Sequence, residues 1–137
     1  MSLHLRARVG PYQVLIAAAS VLEVGSGAAV PRSWRGRTLP YVDAYALLGL
    51  ERSEDGAGSY VIYGAGAEAV VLGLGPMAGA VPVAREEIRP FPPSMAQAHR
   101  LFDGVVVVAD EAMLRLRDGL DLAALSSQPS EARRLPT

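Results

Sequence analysis

The chain contains no cysteine and no lysine, and each absence removes a class of chemistry. Without thiols there is no disulfide, no thiol nucleophile and no cysteine-based zinc site. Without lysine there is no Schiff base and no P-loop lysine to hold a phosphate. All thirteen basic residues are arginine, against fourteen carboxylates, for a net charge of −1. With no uninterrupted basic run, nucleic acid is not an expected partner. Histidine is nearly absent too: His4 and His99 are the only two, and both are expected at the surface. The carboxylates are scattered without metal-ligand spacing, and neither H-E-x-x-H nor G-x-S-x-G occurs. These absences lead us to expect no catalytic residue, no metal and no cofactor.

Long apolar runs are missing as well, so no segment approaches the ~18–20 residues of a spanning helix and no direct membrane insertion is expected. Arg6 and Arg8 followed by Val14–Leu22 loosely imitate a secretory leader. That run is short, rich in alanine and bracketed by Gln13 and Glu23, and reads better as folded structure.

What is present is a globular composition, half hydrophobic and one fifth charged, over 137 residues. That length suits one domain with a real core. Strand signals dominate. Leu3, Leu5, Ala7 and Val9 alternate with His4, Arg6 and Arg8, the period of a half-buried strand, and Gly10-Pro11 turns the chain back through Tyr12–Ile16. Ala17–Leu22 fits either a short helix or more strand. Further strands are expected at Tyr60–Tyr63, Glu68–Leu74 and Met77–Val83, the last at an edge because of Pro82. Val105–Val108 reads as a strand buried on both faces. Asp110-Glu111 turns it into Met113–Leu116, with Leu114 and Leu116 on one face and Arg115 and Arg117 on the other. Glu51–Ser59 reads as a surface loop and Arg85–Pro93 as a stiff, solvated linker.

The organising stretch is Trp34–Leu50. Gly36 permits a tight turn, and Thr38–Val42 is strand-forming. Asp43 is a good N-cap for a short helix over Ala44–Leu48, which Gly49 ends. In the same way Asp121 is expected to cap Leu122–Leu125, the closing helix, with 126–137 as a flexible tail.

Arg35-Gly36, Pro40-Tyr41-Val42-Asp43 and Leu48-Gly49-Leu50 together resemble the signature of the CheW family, the coupling proteins of bacterial chemotaxis. Tyr12, Val21-Leu22-Glu23-Val24, Glu87-Ile88-Arg89-Pro90 and Phe102-Asp103-Gly104-Val105 fit the family's pattern in the same order. The resemblance implies a mostly β fold, two small barrel-like β lobes with short helices, forming a single domain over 1–125. Lobe 1 would take about 3–50 plus about 109–125, and lobe 2 about 60–108. It also implies a cytoplasmic, non-catalytic adaptor at membrane-associated receptor arrays. Its partners would be the regulatory domain of a CheA-type histidine kinase and the cytoplasmic tip of a chemoreceptor.

The residues that carry binding, by this resemblance, are Glu23, Trp34, Arg35, Gly36 and Asp43. Arg35 can present its fork of donors to a partner or form an internal salt bridge with Glu23 or Asp43. Trp34 can be an interface anchor or a core residue. One departure stands out: only ten residues, Gly25 to Trp34, separate the Glu-Val strand from the Arg-Gly turn. The family usually spends more, including a further strand, so a strand is expected to be missing or cut down here. That loss implies weakened receptor contact and an exposed edge that a homodimer would cover.

Two other functions fit the sequence. One is a CheW-like interaction domain of another scaffold, serving polar localisation, surface motility or self-assembly. The other is a small nucleotide-using barrel, since Gly64-Ala65-Gly66-Ala67-Glu68-Ala69, with Glu86 downstream, matches a relaxed dinucleotide fingerprint. A pyrophosphate site needs a helix starting at those glycines, whereas Ala69–Leu74 is strand-forming, so a hairpin turn is the expected structure.

Overall fold

The computed structural model describes residues 1–26, 31–51, 58–64, 69–91 and 100–126. Strands β1 (Ser2–Val9) and β2 (Tyr12–Ala17) form the expected hairpin, followed by a 3-10 turn at Ala18–Ser20 and then β3 (Val21–Ser26). The ambiguous segment 17–22 therefore holds both a turn of helix and the start of a strand. After it come β4 (Ser33–Trp34), β5 (Arg37–Thr38), β6 (Tyr41–Asp43) and helix α1 (Ala44–Leu47). The second half contributes β7 (Ser59–Tyr63), β8 (Val70–Leu74), β9 (Met77–Val83), β10 (Phe102–Val108), β11 (Glu111–Leu116) and helix α2 (Leu122–Ser126).

Two main sheets result. One runs β10-β11-β2-β1-β9, the other β3-β7-β8-β6, and β4-β5 form a separate short hairpin. The fold is mostly β, as expected, but among the described residues neither main sheet closes into a barrel: each ends on edge strands. The strands also divide differently from the expected lobes. β9 and β10 pair into the same sheet as β1, β2 and β11, while β3 and β6 pair with β7 and β8. Met77–Val83 is an edge strand with Pro82 in it, the position in a sheet where proline is tolerated.

The inner faces of the two sheets meet over the main core. Val9, Val14, Ile16, Phe102 and Leu116 pack with Val61, Tyr63, Leu72 and Leu74, and α1 and α2 add Tyr45, Leu47, Leu48 and Leu122. The outer faces carry their own apolar clusters, Leu15, Val83, Val106 and Met113 on one sheet, Leu39, Ile62, Ala69 and Val71 on the other. Because both faces of the central strands are covered, β8 is buried at every position.

The edge strand β10 is less enclosed than its valine run suggests. Val105 packs on the main core and Val106 and Val108 on the outer cluster, so both faces are in contact, but Val107 is 51% exposed. The described part of the expected linker, Arg85–Phe91, is also not free; residues 92 and 93 lie outside the described residues. Arg85–Glu87 makes a 3-10 turn, Arg89 exchanges backbone hydrogen bonds with Val105 (2.9 and 2.8 Å), and Phe91 enters the core.

Both helix caps form. Asp43 accepts from Tyr45 N at 3.1 Å, Gly49 takes φ 71° after the last turn, and Asp121 accepts from Ala124 N at 3.1 Å. Of the expected tail only Ser126 is described, as the last residue of α2; residues 127–137 lie outside the described residues, as do His99 and most of the expected loop 51–59.

One hydroxyl joins the two sheets. Tyr63, on β7, donates from its OH to Arg117 O (2.9 Å) and accepts from Leu120 N (3.2 Å), just beyond β11. Burial raises the pKa of this phenol above its ordinary value of 10, partly offset by the bond from Leu120 N. The neutral form is thus the one the fold holds. Raising the pH above 10 deprotonates the unfolded chain first, so stability is complete below that pH and falls as pH rises through the folded-state value. Tyr63→Phe should lose ~1–2 kcal/mol at neutral pH, because two backbone groups lose their partner. In urea titrations the variant should also show a shallower loss of stability above pH 10 than the parent; identical alkaline slopes would contradict this role.

Candidate functional site

The site is built on the hairpin β4-β5. Its register places Ser33 opposite Thr38 and Trp34 opposite Arg37, and Leu39 N donates to Arg32 O at 2.9 Å. Side chains alternate across a strand, so Arg32, Trp34, Arg37 and Leu39 share one face. That face lies on the outer face of the second sheet, where Trp34 and Tyr60 pack against the cluster of Leu39, Ile62, Ala69 and Val71.

Arg35 and Gly36 form the turn, with φ of 50° and 79°. Two positive φ values in a two-residue loop match the twist of the flanking strands. Gly36 needs to be glycine for its φ alone, since no atom lies within 4 Å of where a Cβ would be. Arginine at the first position bears a strain of order 1 kcal/mol that asparagine or glycine would lessen. Its side chain is exposed, and the guanidinium lies 5.4 Å from the centre of the Trp34 ring, a cation–π contact.

Arg35 makes no ion pair with Glu23 or Asp43, so the internal salt bridge considered for it is not formed. Trp34 is half-buried: its ring packs on the sheet and also carries Arg35. Glu23 is exposed on β3 opposite Ile62, which puts it on the same outer face of the sheet. Asp43 is engaged elsewhere, as the cap of α1. Glu23, Trp34, Arg35 and Gly36 therefore belong to one side of the molecule, while Asp43 has a structural task.

Two more aromatic rings belong to this region. A Cβ at Gly25 would collide with the Tyr60 ring, and one at Gly73 with the Tyr41 ring. Each glycine lets a tyrosine from the neighbouring strand lie close to the sheet, the arrangement by which aromatics cover glycines in sheets. Within the short segment 25–34 the described residues hold the end of β3 and the two residues of β4, which pairs with β5 alone among the described residues. Residues 27–30 lie outside the described residues.

The glycine-rich fingerprint does not have the geometry of a dinucleotide site. β7 and β8 pair antiparallel with Tyr63 opposite Val70, so the segment leads into a strand and not a helix. Residues 65–68 of the fingerprint lie outside the described residues.

A polar cluster on the other sheet escaped sequence reasoning. His4, expected at the surface, is 1% exposed, and Arg115, expected on an outward face, is buried. Arg115 donates from Nε to His4 Nε2 (2.9 Å), from Nη1 to Asp103 (2.5 Å) and from Nη2 to Asp118 (3.0 Å). His4 Nδ1 lies 3.0 Å from Ser2 O, which makes it the protonated nitrogen. The cluster lines a pocket of about 370 Å³ with Val83, Arg85 and Ile88. Beside it on the same outer face, Arg6 joins Gln13 (2.6 Å) and Glu111 (2.7 Å). The alternation of β11 was read correctly; what it could not show is that β11 lies between β10 and β2, with both faces covered.

No family model matches the sequence, and no curated protein matches it. Among solved structures the scaffolding protein TtCheW from Thermoanaerobacter tengcongensis superposes with a TM-score of 0.71, at 14% identity, over 86% of this chain and 85% of that one. At that identity the likeness speaks for architecture alone, and the architecture agrees over most of both chains: this chain has a CheW-like fold.

Proposed function

We propose that the protein is a non-catalytic adaptor that joins a CheA-type histidine kinase to chemoreceptors at cytoplasmic arrays. The observation that supports this reading most is the pairing of a CheW-like fold with an exposed, strained Arg35 held over Trp34. A strained residue whose exposed side chain forms no ion pair in the fold and only lies over Trp34 suits a contact made with another molecule. Glu23 and Gly36 extend the same face; Asp43 supports it indirectly by capping α1. No helix among the described residues is long and apolar enough to cross a membrane.

Such an adaptor works by stoichiometric binding. Calorimetry with a purified CheA-type regulatory domain should show saturable binding, and the reading fails if kinase domain and receptor tip both leave the protein unbound. Receptor binding is expected to be the weaker contact, because the short segment 25–34 leaves β4, one arm of the hairpin, only two residues long. The outer edge of β3 has no partner strand among the described residues, so a homodimer through that edge is the self-association to look for in the solution mass.

A further inference from the structure

We infer that the β4-β5 hairpin is an anion-reading surface in which Arg32 and Arg37 act together with Arg35, and that its partner is an acidic protein segment. The inference rests on the hairpin being a binding face, as proposed above. Arg32, Arg35 and Arg37 are all exposed, and none makes an ion pair among the described residues. The hairpin register makes them a group. Arg37 is directly opposite Trp34, Arg32 is on the same face beside Leu39, and Arg35 lies over the indole.

Three exposed arginines thus share one short hairpin with a half-buried tryptophan, on a chain whose overall charge is −1. Two described carboxylates lie on that outer face by register, Glu23 and Asp43; neither forms an ion pair with these arginines, and Asp43 caps α1. Guanidinium groups bind carboxylates in a two-point fork, and arginine and tryptophan are the side chains that most often anchor protein interfaces. A long polyanion is a poorer fit. Nucleic acid or an anionic membrane is held by many spaced phosphate contacts, whereas this group is three residues wide and the rest of the chain is not basic.

Trp34 is the only tryptophan, so its fluorescence reports on this surface alone. The test is to titrate the whole protein with a synthetic helical peptide carrying glutamates beside a leucine stripe, and with its glutamine counterpart. The glutamate peptide should change Trp34 emission saturably, with affinity falling at least about tenfold between about 50 and about 300 mM salt. Arg32→Gln with Arg37→Gln, which leaves Arg35 in place, should weaken that binding about tenfold or more without lowering the melting temperature. Four outcomes overturn the inference: no emission change with the glutamate peptide, equal binding of the glutamine peptide, unchanged affinity in the double variant, or tighter binding to phosphatidylglycerol vesicles or an oligonucleotide. If the kinase domain still binds in any of these cases, the acidic-partner inference falls and the adaptor reading stands.

Discussion

Arg115→Ala is expected to destabilise the protein by about 3 kcal/mol, seen as a fall in melting temperature of roughly 10 °C. Arg115 is the hub between three strands, reaching His4 on β1 and Asp103 at the start of β10 from its own place on β11. Its side chain is only 10% exposed, so the groups it leaves behind are partly shut off from water. His4 Nε2 would lose its donor, and Asp103, whose Oδ1 is already buried without a partner, would lose its counter-charge. The estimate is at the lower end of the range for buried pairs because Asp103 retains some solvent contact. Asp118→Asn is the control: that carboxylate is well exposed, and its loss should cost less than ~1 kcal/mol. Urea titrations of both variants decide the matter. If the two cost the same, the buried hub is misread.

Arg35→Asn should separate binding from stability. Asparagine is a preferred residue at the first position of such a turn, so relief of the backbone strain roughly offsets the lost contact with Trp34, and stability should stay within ~1 kcal/mol of the parent. Binding to the partner that uses this face should nevertheless weaken by ~1–3 kcal/mol, between about fivefold and about 150-fold in Kd. Calorimetry and thermal melts on the same samples provide both readings. A variant that melts much lower while binding unchanged would make Arg35 a structural residue.

Local signals carried most of the fold that could be read in advance. The alternation of β1, the turn at Gly10-Pro11, the two aspartate caps and the edge position of Pro82 all follow from short-range chemistry. Pairing between distant strands was not legible. Nothing within Met77–Val83 shows that it joins β1, nor within Tyr41–Asp43 that it runs parallel to β8. Those pairings decide which faces are covered, and so they decided the fate of His4 and Arg115. A polar residue on an alternating strand points outward only if that side of the sheet is bare. At the hairpin less was hidden: the Arg-Gly pair is recognisable as a turn, and Trp34 satisfies both of its readings at once. The grouping of Arg32 and Arg37 around Trp34 needed the register of β4 and β5.

Reconstitution of a signalling complex tests the adaptor reading most directly. Receptor cytoplasmic fragments and a CheA-type kinase would be mixed with increasing amounts of this protein, and kinase autophosphorylation measured with and without receptor ligand. Receptor control of the kinase should appear in proportion to the protein added and level off once it is stoichiometric, with Arg35→Asn shifting the curve to higher concentrations. Kinase activity indifferent to the protein at every ratio, with no co-sedimentation of the three components, would contradict the adaptor reading.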